Sequence, residues 1–244
     1  MNVGVLTSSR ADFGIYLPLL RRLRQTPNVT LKIFAFGTHL SPFYGQTVQE
    51  IERNGFEVTE KIETVLAHDT ASAVTLSMAI TMQQFAAMWP KQADSLDVVL
   101  ALGDRYEMFA AVSSSAPFNI PIAHLHGGET TLGAIDNRFR HAITQFATLH
   151  FASTKTYADK IAQMLGHSDG VFHVGSLSLD NLQDMDLLSA EAFLERYGID
   201  LRTPTILTTF HPETVRTEGN VYYAEQIVKA LDAQIGRASC RERV

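Results

Sequence analysis

Along most of the chain, apolar runs of four to seven residues alternate with stretches of helical spacing. The runs VGVLTS (3–8), LKIFAFG (31–37), FEVTEKI (56–62), VVLALG (98–103), IAHLHG (122–127), HFAS (150–153) and VFHVG (171–175) read as strands. The spacing between them predicts helices near 15–25, 45–54, 71–93, 106–116, 139–147 and 154–165. Near-continuous apolar strands that alternate with helices imply a parallel sheet covered on both faces. Residues 1–175 are therefore expected to form an α/β, doubly wound Rossmann-like domain whose ligands sit at the carboxyl ends of its strands.

The texture changes after Gly175. LSLDNLQDMDLLSAEAFLERYGID is helical and acidic, and SAEAFLERYG has the form of a capped helix ended by Gly198. A further strand, TILTTF (205–210), runs into HPET, and a helix is predicted at about 219–234. Residues 176–234 thus read as a linker and the start of a second Rossmann-like domain, with too little chain for its own core. The last ten residues, IGRASCRERV (235–244), carry three arginines and the only cysteine, Cys240. They resemble the translation of a sequencing-adapter read-through and are expected to be non-native, so they are excluded from fold reasoning.

Composition narrows the function. With 45% hydrophobic and 19% charged residues the chain can bury a sizeable core and does not match disorder. A net charge of −6 argues against nucleic acid as a partner, and an anionic small molecule would need local donors. A single cysteine excludes a disulfide framework and a cysteine-based zinc site. MNVGVLTSSR has no basic leader and reads as a buried strand, and no apolar run approaches a membrane span, so a cytoplasmic location is expected.

Polar groups gather at four strand ends. In TSSRADFG, Arg10 leads into a helix, where a guanidinium beside a helix N-terminus suits a phosphate; an exposed Arg10 paired with Asp12 is the alternative. His39 follows the second strand in FGTHLS. Asp104 and Arg105 follow the fourth in ALGDRYE, with Asp104 also placed to cap the next helix, while Arg10 and Arg105 together could hold a diphosphate. The richest end is IAHLHGGETTLGAID (122–136). There His124 and His126 alternate by two and are expected on one face of the strand. Gly127 and Gly128 permit a tight turn, Glu129 and Asp136 follow in the loop, and Arg140 opens the next helix. Two same-face histidines with a carboxylate fit a zinc site, and carboxylates close to arginines fit proton transfer on an anionic substrate equally well.

TSSRADFG, GTHL, LGDRYE, HLHGGETTLGAID, RHAI and TFHPET, in that order over about 3–232, resemble the hydrolysing UDP-N-acetylglucosamine 2-epimerases, including their bacterial sialic and legionaminic acid branch. The resemblance implies a two-domain GT-B-type architecture with a UDP-sugar substrate, no metal or redox cofactor, no membrane partner, and a homo-oligomeric full-length enzyme. It implies loss of UDP from C1 with removal of the C2 proton, a glycal intermediate, and addition of water to release the C2-inverted sugar. By motif match Asp104, His126, Glu129, Asp136 and His211 become acid, base or cleft groups. Arg10, His39, Arg105, His124 and Arg140 become substrate contacts. His126 stands where relatives carry a catalytic glutamate, so either His126 or Glu129 is the C2 base. The chain by itself is expected to be a fragment with little activity. A GT-B glycosyltransferase and a non-catalytic UDP-sugar-binding module are the competing readings.

Overall fold

The seven apolar runs of the first domain form β1 (Asn2–Thr7), β2 (Thr30–Phe36), β3 (Val58–Ile62), β4 (Val98–Leu102), β5 (Ile122–Leu125), β6 (Leu149–Ala152) and β7 (Val171–His173). All pair in parallel in one sheet, in the order β3-β2-β1-β4-β5-β6-β7. The computed structural model describes residues 1–66, 68, 70–183, 186–213 and 217–235. These fall into two units, 1–130 with 136–183, and 131–135 with the described residues from 186 onward.

In the first unit α1 (Arg10–Gln25), α2 (Val48–Arg53), α3 (Ala71–Gln92), α4 (Tyr106–Ser115), α5 (Asp136–Phe146) and α6 (Lys155–Leu165) link consecutive strands. The chain steps outward from β1 through α1 and α2, returns through α3, and steps out the other way through α4 to α6. Right-handed crossovers that reverse direction put their helices on opposite faces. The two cores follow this division. Phe85 and Trp89 of α3, Met108 and Val112 of α4 and Ile143 of α5 pack on Phe34, Phe36, Val99 and Ala101. Phe13, Tyr16 and Leu20 of α1 and Ile51 of α2 pack on Val5, Ile33, Ala35 and Leu100. Alternate residues of β1, β2, β4 and β5 serve opposite cores, which is why these strands lack polar alternation.

Local signals set the helix starts. Ser9 and Asp12 form a capping box on α1: Asp12 accepts from the Ser8 and Ser9 amides, both at 2.7 Å, and from the Ser9 hydroxyl. Thr154 caps α6 by accepting from the Tyr157 amide at 3.2 Å. α7 (Leu177–Gln183) returns to α1, where the Asn181 amide donates to the Gly14 carbonyl at 2.9 Å. Because α3, α4 and α5 lie on the other face, β4 to β6 are thinly covered beside α1 and α7. A cavity of about 440 Å³ opens there between Leu19, Leu23, Leu100, Leu125, Phe151 and Leu177, with His126 at its wall.

In the second unit α8 (Ala190–Tyr197) starts at Ser189, whose hydroxyl accepts from the Ala192 amide at 3.2 Å, and ends at Gly198, as the spacing predicts. α9 (Asn220–Ile235) matches the final predicted helix. The strand expected at 205–210 does not form, and Ile206 and Leu207 are 61% and 94% exposed. Apolar character alone cannot make a strand: its amides and carbonyls need a neighbour, and no strand of this unit is available among the described residues. Of the expected non-native tail, residues 236–244 lie outside the described residues. No helix among the described residues is long and apolar enough to cross a membrane.

Candidate active site at the carboxyl edge of the sheet

β1, β4 and β5 are neighbours, so the loops that follow them lie side by side. The β1–β4 boundary is the point where the chain reverses direction along the sheet. Arg140, one turn into α5, points back at these loops and is 5% exposed. Its Nη2 pairs with Asp104 Oδ2, and its Nη1 donates to the His126 carbonyl at 2.8 Å and to Glu129 Oε2 at 3.4 Å. One planar fork therefore ties the β4 loop to the β5 loop.

The β5 loop is closely determined. His126 leaves the strand with φ 61°, a left-handed conformation uncommon for a side-chain-bearing residue. Its Nδ1 lies 2.7 Å from Glu129 Oε1, which also accepts from the Ser153 hydroxyl at 2.6 Å. Gly128 is required by its surroundings: φ is 75°, and a Cβ there would meet the Tyr157 carbonyl oxygen at 2.7 Å. Burial pushes the Glu129 carboxyl up, but hydrogen bonds from His126 and Ser153 and the nearby charge of Arg140 outweigh it and leave it below the usual carboxylate range. Asp104 goes the other way. Burial raises it, Arg140 opposes, and the charges of Asp136 and Glu129 add to the rise. Neighbouring carboxylates with opposed shifts can divide donor and acceptor roles.

The remaining predicted residues are placed variously. Asp136 opens α5 close enough to Asp104 to influence its ionisation. Arg105 pairs with Glu107 at 2.7 Å; burial works against the guanidinium charge, and the fully buried Glu107 more than compensates. Arg10 is exposed at the first position of α1, and Asp12 is taken up by the capping box, not by Arg10. His39 is buried with its ring nitrogens 2.9 Å from the hydroxyls of Thr7 and Thr47. His124 is likewise enclosed, with Nε2 2.8 Å from the Gly103 carbonyl and Nδ1 3.2 Å from the Thr144 hydroxyl. The expected common face of His124 and His126 is overturned. The turn at His126 ends the strand alternation, so His126 lies against Glu129 and the cavity of Leu125 while His124 stays inside. His211 belongs to the second unit, in irregular backbone, and is exposed.

The family model for UDP-N-acetylglucosamine 2-epimerase matches residues 21–239. The chain belongs to the UDP-N-acetylglucosamine 2-epimerase family. It is 31% identical over 226 residues to polysialic acid biosynthesis protein P7 of Escherichia coli, covering 93% of this chain and 57% of that protein. It is 32% identical over 228 residues to the hydrolysing GDP/UDP-N,N'-diacetylbacillosamine 2-epimerase of Campylobacter jejuni, covering 93% of this chain and 59% of the relative. Among solved structures, the UDP-GlcNAc 2-epimerase of Neisseria meningitidis bound to UDP-GlcNAc superposes with a TM-score of 0.77 at 17% identity, over 96% of this chain and 63% of that one. Such neighbours establish the fold as GT-B-type. The chain thus spans a little over half the length of these relatives.

Two residues at this edge of the sheet lie outside the candidates read from the sequence. Glu107 stands within the ALGDRYE motif itself, and an acid in the first turn of a helix beside an arginine is its signal. Ser153 directly follows β6, and the strand-end rule applied to that strand would find it.

The buried histidines make the fold sensitive to mild acid. Burial lowers His39, His124 and His150, and takes His124 to about 3. Each stays neutral in the fold while the unfolded chain takes up protons near pH 6.5, so stability is lost as pH falls below about 6.5 and, for His124, on towards 3. Denaturant titrations at pH 7.5, 6.5 and 5.5 are expected to show falling stability, with one proton contributing at most about 1.4 kcal/mol per pH unit. His124→Asn should flatten the dependence by about one proton; an unchanged slope would mean that His124 is already charged in the fold.

Proposed function

We propose that the full-length protein is a hydrolysing 2-epimerase of a UDP-N-acetylated aminosugar. The substrate is UDP-N-acetylglucosamine, giving N-acetylmannosamine, or its 2,4-diacetamido-6-deoxy analogue. The reading places the enzyme in the cytoplasm, in sialic or legionaminic acid synthesis, as a homo-oligomer. The observation that carries it is the gathering of Asp104, His126 and Glu129 around Arg140 at the carboxyl edge of the sheet. A weakly acidic C2 proton needs a positioned base, and a departing diphosphate needs cations.

In this mechanism a group at the end of β5, His126 or Glu129, takes the C2 proton. The C–H pair forms the C1–C2 double bond, and the C1–oxygen pair leaves with UDP, held by Arg10 and Arg105. Water then adds across the glycal, with Asp104 or Asp136 delivering the proton to the opposite face of C2 and His211 serving from the second domain. The 244-residue chain by itself turns over little, since the apolar segment at 205–210 has no sheet to join among the described residues. Each UDP-sugar is incubated with the full-length enzyme in deuterated water. Release of UDP and of a C2-inverted sugar carrying deuterium at C2 is the expected result. Sugar released without deuterium, or only in the presence of a sugar acceptor, would favour a glycosyltransferase and overturn the reading.

A further inference from the structure

Between the two candidate bases at the end of β5, the hydrogen bonds discriminate. Glu129 has both carboxylate oxygens committed: Oε1 to His126 Nδ1 and the Ser153 hydroxyl, and Oε2 to Arg140. Either oxygen would have to give up a partner to reach a substrate. His126 has the opposite situation. Its Nδ1 is used, while Nε2 is buried and has no hydrogen-bond partner among the described residues. The backbone around it is pinned from both sides, by its amide donating to the Phe151 carbonyl at 3.1 Å and its carbonyl accepting from Arg140 at 2.8 Å. A carboxylate facing Nδ1 selects the tautomer with the proton on Nδ1, which leaves the Nε2 lone pair free. A residue held in a left-handed conformation with one unsatisfied buried nitrogen fits a group set for chemistry better than one set for packing.

Resting on the epimerase reading above, we infer that His126 Nε2 is the C2 base and that Ser153 is a positioning residue acting through Glu129. In the forward step the C2–H bond breaks and its proton goes to Nε2. The electron pair becomes the C1–C2 double bond, the C1–oxygen bond breaks, and its pair leaves on the UDP oxygen. The imidazolium that forms faces the Glu129 carboxylate, which Ser153 and Arg140 hold in place. Ser153 touches no reacting atom in this scheme.

The test uses the full-length enzyme in deuterated water, following UDP release and C2 deuteration for the wild type and four variants. His126→Asn keeps a residue that accepts the left-handed backbone but lacks the base. It should lower kcat by about a hundredfold or more. Ser153→Ala should lower kcat by about tenfold with KM unchanged, the worth of one hydrogen bond to a charged group, and Ser153→Thr should restore it. Glu129→Gln should slow turnover while C2 deuteration persists. If wild-type enzyme deuterates C2 and His126→Asn does so at a near-wild-type rate, the inference fails while the epimerase reading stands. It fails in the same way if Glu129→Gln abolishes C2 deuteration while His126→Asn does not, or if Ser153→Ala raises KM alone. Wild-type enzyme that releases sugar without C2 deuterium overturns both.

Discussion

Replacing Arg140 by alanine is expected to damage both turnover and stability, more than any other single change at the site. The side chain is buried and serves Asp104, Glu129 and the His126 carbonyl at once. Its removal leaves two partly buried carboxylates facing each other without the charge that separates them. Breaking a buried pair from one side costs about 3–5 kcal/mol. Asp104 and Glu129 keep 21% and 24% side-chain exposure, so water recovers part of this and the expected loss is about 2–3 kcal/mol. On the proposed mechanism, turnover of the full-length enzyme should fall by about a thousandfold, as the acid and base loops lose their common anchor. Arg140→Lys should recover part of the stability and little of the rate, because an ammonium cannot reproduce the fork. Denaturant midpoints read beside initial rates check both statements, and equal recovery of the two by lysine would reduce Arg140 to a charge.

Asp104→Asn is expected to separate what Arg140→Ala combines. The amide oxygen can still accept from Arg140, and the change removes a carboxylate that burial already holds above its usual range. Stability should therefore change by less than about 1 kcal/mol or rise slightly. Turnover should fall by about a hundredfold or more, the range of a lost acid–base group. A near-wild-type rate in the full-length enzyme would remove Asp104 from proton transfer. Loss of folding along with the rate would make it a support for Arg140.

Much of the fold is legible because β1, β2, β4 and β5 each serve two cores. Val99 and Ala101 face one core and Leu100 faces the other, so VVLAL shows the uninterrupted apolar run of a doubly covered strand. TILTTF has the same local texture without a neighbour to pair with, and texture carries no information about neighbours. The site divides along the same line. Asp104, Glu129 and Arg140 follow from strand ends in a parallel sheet. The placing of His39 and His124 depends on hydroxyls contributed by Thr7, Thr47 and Thr144 from other elements. A histidine at a strand end looks the same whether its nitrogens are spent or free. The outward turn of His126 is equally hidden, since only the Gly-Gly pair beside it signals a special backbone.

The strand order has a consequence for how the chain is made. β1 is synthesised before β2 and β4, yet it lies between them in the sheet and needs both. Its second partner begins only at Val98, where the Asn2 amide meets the Asp97 carboxylate at 2.6 Å and the Asp97 amide returns to the Asn2 carbonyl at 3.0 Å. At ordinary translation speeds of about 5–20 residues per second, one edge of this apolar strand stays open for several seconds or more. Contacts of such long sequence separation also form slowly once the chain is complete. The nascent chain thus passes through an interval in which VGVLT is a sticky, half-paired edge, and its yield should respond to chaperone supply and to the pace of synthesis between β1 and β4.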